Sequence, residues 1–172
     1  MKIYVKSRKW INDFFKELDS NKLNFLKNVR FISINTLWTS PSFPLENCPI
    51  PEPYLNETLV LHFDDVDNNY LYETYLGCKV KHFSEQQAKA IKVFVDKCIE
   101  DKKDIVVHCT AGISRSGAVG VSIEAYLNML YNLNDKNDIW LKPELVSENN
   151  LIPNLLVKKL LRKEFGLDYA KQ

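Results

Sequence analysis

A chain of 172 residues, 45% apolar and 26% charged, is long enough to form one domain, 1–172, with a sizeable core. The formal net charge of +1 gives no basis for non-specific attraction to nucleic acid or to a membrane surface. No apolar stretch reaches bilayer-spanning length, and Met1-Lys2-Ile3-Tyr4 does not open a signal peptide.

Ile3-Tyr4-Val5 reads as a short strand. Ser7 can cap a helix over Arg8 to Leu18, with Trp10, Phe14 and Leu18 on one face. Val29 to Ile34 reads as a second strand. Pro41 to Pro53 holds five prolines and reads as an irregular loop. Thr58 to Phe63 is a strand with apolar residues on both faces, the pattern of an interior strand in a covered sheet. Ser84-Glu85-Gln86-Gln87 is a capping box, and the helix it starts carries Ala88, Ile91, Val95 and Cys98 at helical spacing. After the polar turn Asp101 to Asp104, Ile105-Val106-Val107 is almost wholly apolar and predicts a central strand. Gly117 to Leu130 reads as a helix with Val121, Ala125 and Leu127 among its apolar positions. Asn132 to Asp138 is a polar connection, and Pro143 suits the first turn of a short helix. Pro153-Asn154 begins the last helix, with Leu156, Leu160 and Leu161 inward and Gly166 as its stop. Strands alternating with helices argue an α/β fold: a single domain with a largely parallel central sheet flanked by helices.

The chemistry concentrates in IVVHCTAGISRSG, Ile105 to Gly117. A turn from strand to helix presents backbone N–H groups at the helix N-terminus, where the dipole favours an anion. Gly112 and the small residues Ala111 and Ser114 allow close backbone approach. Arg115 adds a planar fork that matches a phosphate bidentately. Cations and helix N-termini favour a thiolate, so Cys109 in such a cradle is a candidate nucleophile facing a phosphoryl group. Four cysteines, Cys48, Cys78, Cys98 and Cys109, stand far apart with no CxxC pair, which fits reduced thiols in a cytoplasmic setting. His62, His82 and His108 lack ligand spacing, so neither a metal nor another cofactor is expected.

His108-Cys109-Thr110-Ala111-Gly112-Ile113-Ser114-Arg115-Ser116 resembles the HCxxGxxR(S/T) signature of cysteine-dependent protein tyrosine phosphatases, and the AGxSRS form looks most like the dual-specificity branch. The resemblance implies the phosphatase-like α/β fold and a role for each matching residue. Cys109 would attack phosphorus and carry a phosphocysteine, and Arg115 would hold the equatorial oxygens. His108 would brace the loop, Ser116 would help the sulfur leave, and the amides of Thr110, Ala111, Gly112, Ile113, Ser114 and Arg115 would complete the cradle. Taken alone, His108 is more often a packed core histidine and Ser116 a helix cap. The family also supplies an aspartic acid as general acid after an upstream strand. Here Asp64, Asp65 and Asp67 compete, with Asp65 preferred for its step beyond Phe63, Asp64 close behind, and Asp67 read as a solvated turn carboxylate.

The chain departs from the family pattern in the long interval before Cys109, where Tyr70 to Lys81 resembles an insertion. It also lacks the WPD motif of the tyrosine-specific branch. Pro153-Asn154 resembles the Pro-Asn that often begins the last helix of dual-specificity enzymes. The resemblance covers roughly Leu59 to Leu161. It implies a phosphorylated protein or peptide as substrate; the near-neutral charge gives no nucleic-acid or membrane partner to expect, and a monomer is expected without any feature of the sequence fixing the oligomeric state. Lipid-directed relatives usually carry lysine in the loop, and Thr110, Ala111, Ile113 and Ser114 offer none. RNA 5′-phosphatases favour a different loop and a basic approach. A non-catalytic phosphopeptide-binding module would not need Cys109, Arg115 and an aspartate together. A rhodanese-like or arsenate-reducing enzyme would want a partner thiol nearby.

Overall fold

The computed structural model describes residues 1–37, 47–66, 80–134 and 136–168. Asp67, Cys78 and most of the segment read as an insertion lie outside the described residues, as does the first part of the proline-rich loop.

Five strands form one sheet: β1 (Lys2–Ser7), β2 (Val29–Asn35), β3 (Thr58–His62), β4 (Asp104–Cys109) and β5 (Glu144–Ser147). Their order is β3-β2-β4-β1-β5, and every pairing is parallel. The apolar β4 is central, as its composition predicts, with β1 on one side and β2 on the other. Among the described residues five α-helices accompany the sheet: α1 (Arg8–Lys16), α2 (Ser20–Leu26), α3 (Glu85–Glu100), α4 (Arg115–Leu133) and α5 (Leu155–Glu164), with short 3-10 turns at Glu52–Glu57 and Ile139–Leu141. Parallel strands need crossovers: α1 and α2 lie between β1 and β2, α3 between β3 and β4, and α4 between β4 and β5.

Alternation along the strands sorts the core into two layers. Ile3, Ile32, Ile34, Ile105 and Val107 join Ile91 and Val95 of α3, Ile123 and Leu127 of α4, and Val157 and Leu161 of α5. Phe31 and Val106 face the other way and pack with Ile11 of α1 and Ile50. α4 lies close over β1: a Cβ on Gly120 would come within 2.5 Å of Val5 Cγ2. Helix ends follow their local chemistry. Ser7 accepts from Trp10 N, the reciprocal Ser84–Gln87 capping box is formed, and Asn154 accepts from Val157 N. Gly166, at φ 72°, ends α5 in the left-handed conformation that glycine adopts without penalty.

Several expectations are corrected. Pro143 starts no helix; it precedes the edge strand β5, whose Glu144 N donates to the Met1 carbonyl at 3.0 Å. Proline is tolerated at the start of an edge strand as it is at a helix start. Among the described residues β3 is an edge strand rather than an interior one. Its apolar pattern reports that both faces are partly covered, and says nothing of whether both hydrogen-bonding edges are paired. α1 stops at Lys16, leaving Leu18 39% exposed, and Ile11 is buried beside Phe14 instead. On α5 the fully inward residues are Val157 and Leu161, whereas Leu156 and Leu160 are half-buried. α2, capped by Asp19, is an element that the apolar periodicity does not announce.

Candidate active site

The parallel sheet brings the C-terminal ends of β1, β2, β3 and β4 to one edge. Ser7 pairs with Cys109, Ser33 with His108, and Asn35 with His62. Ligand sites of open α/β sheets form along this edge.

The chain leaves β4 at Cys109, turns through Thr110 to Ser114, and enters α4 at Arg115. Cys109 is 2% exposed. Ser116 Oγ lies 3.1 Å from its sulfur, and the Gly112 N–H donates to that sulfur at 3.3 Å. Gly112 has φ 75° and therefore favours glycine. A Cβ there would also come within 2.7 Å of the Lys6 and Ser7 backbone. The glycine is thus required where the loop meets β1, a tighter constraint than the close approach to an anion read from the sequence. The Arg8 N–H donates to the Thr110 carbonyl at 3.2 Å, a second link between the loop and the β1–α1 junction.

Ser114 occupies the N-cap of α4 but makes no capping hydrogen bond. Its hydroxyl donates to Asp65 Oδ1 at 2.7 Å, so it satisfies none of the N–H groups of the first turn. Arg115 is buried, and three groups hold its terminal nitrogens. Nη1 donates to Thr36 Oγ1 at 2.8 Å and to the Phe63 carbonyl at 2.9 Å, and Nη2 donates to Thr110 Oγ1 at 2.8 Å. Its Nε is buried without a hydrogen-bond partner among the described residues. A buried donor left unpaired is costly unless something else is to receive it.

His108 is wholly buried at the end of β4. Burial, with the positive charge of Arg8 behind it, pushes its pKa down to about 3, and the Cys109 backbone opposes them. It is therefore a neutral imidazole at ordinary pH and is not set up to shuttle protons.

The two adjacent aspartates are placed very differently. Asp64 is only 3% exposed, and its carboxylate accepts from Leu37 N at 2.9 Å and Lys81 N at 2.8 Å. It pins two loops together. Asp65 keeps 39% of its side chain exposed at the mouth of the loop, with Oδ2 4.0 Å from Arg115 Nε. Its Oδ1 accepts from Ser114 and, at 3.0 Å, from Asn154 Nδ2. Cys109, Arg115, Ser116 and Asp65 therefore stand together, while Asp64 is turned away into the scaffold.

Three groups at this site went unassigned in the sequence: the Thr36 hydroxyl, the Phe63 carbonyl and the Asn154 side-chain amide. Thr36 directly follows a strand that ends at the site edge, a signal that could have marked it. A backbone carbonyl such as that of Phe63 carries no sequence signal. No curated protein matches the chain. The sequence model for the dual specificity phosphatase catalytic domain matches residues 58–155, more than half of the chain, from the start of β3 to the first residue of α5. The match takes in Asp65, the whole Cys109–Arg115 loop and Asn154, and with the all-parallel α/β sheet that holds them it shows that this chain belongs to the dual specificity phosphatase family.

Proposed function

We propose that the chain is a metal-independent phosphoprotein phosphatase. It hydrolyses phosphotyrosine through a phosphocysteine on Cys109, with phosphoserine and phosphothreonine as secondary candidate substrates. The observation that carries this reading is the convergence on one small volume of a cysteine sulfur, a helix N-terminus without a side-chain cap, a buried guanidinium whose Nε has no hydrogen-bond partner among the described residues, and a partly exposed carboxylate.

The amides from Thr110 to Arg115 and the Arg115 fork receive the phosphoryl oxygens and stabilise the charge they gain in the transition state. The sulfur of Cys109 forms a bond to phosphorus as the bond to the leaving oxygen breaks, and Asp65 gives that oxygen its proton. Asp65, now a carboxylate, then takes a proton from water as the water oxygen attacks phosphorus. The sulfur leaves as thiolate, helped by the hydroxyl of Ser116 3.1 Å away. His108 supports the strand end without exchanging protons. The absence of lysine among Thr110, Ala111, Ile113 and Ser114 favours a protein over a lipid substrate, and the near-neutral chain favours it over RNA. One chain supplies every group named, in keeping with a monomer. A cytoplasmic location is part of this proposal, since reducing conditions there would keep Cys109 a free thiol.

Hydrolysis of p-nitrophenyl phosphate in excess chelator, wild type against Cys109→Ser, tests the mechanism. Full wild-type activity and background-level activity in the variant are expected, and acid quenching of the wild type should trap phosphate on Cys109. Activity that vanishes in chelator and returns with a divalent ion would overturn it. Phosphotyrosine, phosphoserine and phosphothreonine peptides then test the substrate class.

A further inference from the structure

We propose that Asn154 is a positioning residue for the general acid: its amide dictates which oxygen of Asp65 carries the proton. The inference rests on the reading of Asp65 as that acid.

Asn154 is 4% exposed, so its side chain has little freedom. Its orientation is set by the backbone. The Val157 N–H, which can only donate, points at the Asn154 side chain from 3.0 Å, so the atom there must be Oδ1. The amide nitrogen is thereby forced to the other side, where Nδ2 donates to Asp65 Oδ1 at 3.0 Å. The Ser114 hydroxyl donates to the same oxygen at 2.7 Å. A hydroxyl can rotate and become an acceptor, but an NH2 group cannot. A proton on Asp65 Oδ1 would therefore meet an N–H that cannot turn away. The acid's proton is left on Oδ2, the oxygen that faces Arg115 Nε at 4.0 Å and so the phosphoryl group held there. As the leaving oxygen takes the proton from Oδ2, the charge that forms on the carboxylate is met by two donors already in place on Oδ1. The Asn154 backbone N–H also donates to the Ser114 carbonyl at 3.3 Å, so one residue ties the acid, the nucleophile loop and the start of α5.

Two variants separate this role from helix capping, because aspartate and serine are both good N-caps and both preserve the bond to Val157. Asn154→Asp puts a carboxylate oxygen where the N–H stood. Two carboxylates at that spacing hold a proton more tightly, so the basic limb of kcat/KM should move up by about one pH unit or more. Asn154→Ser removes the donor and adds no charge. Its kcat should fall about tenfold for alkyl phosphates, which need the proton, and by less than about twofold for p-nitrophenyl phosphate. Thermal melting confirms that both variants are folded, and Asp65→Asn is measured alongside. If Asp65→Asn flattens the basic limb while both Asn154 variants keep the wild-type pH profile and leaving-group dependence, Asn154 is a helix cap only and the proposal fails. If Asp65→Asn itself changes neither, the acid is misassigned, and the proposal falls with it.

Discussion

The two halves of the proposed active site are built in opposite ways. The nucleophile half is one continuous turn, Cys109 to Ser116, in which sulfur, guanidinium and hydroxyl come from eight consecutive residues. The acid half is assembled from distant segments: Asp65 after β3 and Asn154 before α5, which meet each other and Ser114 of the nucleophile turn. A continuous turn fixes its geometry by local backbone conformation. An assembled site depends on how distant elements pack. Substitutions of the reacting groups in the first half should act mainly on the chemistry, with Gly112 seated on β1 as the structural exception, whereas those in the second should divide between chemistry and the scaffold.

The largest effect expected after loss of Cys109 itself is from Arg115→Lys. An ammonium has no planar fork, and it cannot meet Thr36, Phe63 and Thr110 while also reaching a phosphoryl oxygen. Turnover should fall by about two to three orders of magnitude with the fold intact, as checked by steady-state kinetics and circular dichroism. Near wild-type turnover would show that the continuous half does not centre on Arg115.

The neighbouring aspartates sharpen the comparison within the second half. Asp65→Asn should slow alkyl phosphates by about two orders of magnitude, leave p-nitrophenyl phosphate much less affected, and barely change stability. Asp64→Asn should do the reverse. It replaces a carboxylate that accepts from Leu37 and Lys81, so it should cost about 2 kcal/mol in denaturant titrations without altering leaving-group dependence. Exchange of the two outcomes would move the acid by one residue.

A tenfold or greater selectivity is expected in alkylation. Burial pushes the Cys98 thiol up to about 12, against the opposing pull of Arg30, so it is protonated and inert at neutral pH. Brief iodoacetate treatment followed by peptide mapping should find Cys109 labelled well before Cys98, with phosphate or vanadate protecting it. Equal labelling would remove the basis for an activated nucleophile.

The smallest effect at neutral pH concerns His108. Its pKa in the fold, about 3, lies below its ordinary value of 6.5. Above about pH 6.5 it is neutral in both states and has no linkage to stability. As pH falls below that value, the unfolded chain takes up a proton that the fold refuses, so stability declines down to about pH 3. The loss is on the order of a few kcal/mol in all. His108→Gln should flatten this acid slope in chemical denaturation measured at several pH values. An unchanged slope would show that other groups set it.

What the sequence made readable follows the same division. The nucleophile loop, the capping box at Ser84, the central β4 and the Gly166 stop are all local patterns, and each is found where the residues place it. Asp65 could be preferred over Asp64 only by its step from Phe63; its exposure at the mouth and the burial of Asp64 are tertiary facts. Pro143 fits the start of a helix or of an edge strand equally well, and only pairing with β1 decides between them. The apolar run of β3 records covered faces but not an unpaired edge. Asn154 reads as a helix start, and its second duty toward Asp65 depends on a loop 89 residues away in sequence.

The placement of β4 has a consequence for how the protein can be divided. Both of its neighbours, β1 and β2, come from the chain before residue 58, ahead of the segment that carries the family signature. A fragment trimmed to residues 58–155 would keep the proposed nucleophile, clamp and acid, yet it would expose both hydrogen-bonding edges of its most apolar strand. Such edges recruit other chains, so that fragment would self-associate instead of folding. It would also lack the Lys6–Ser7 backbone against which Gly112 is seated. The signature marks where the chemistry is, while the smallest autonomous unit must reach back to the first strand.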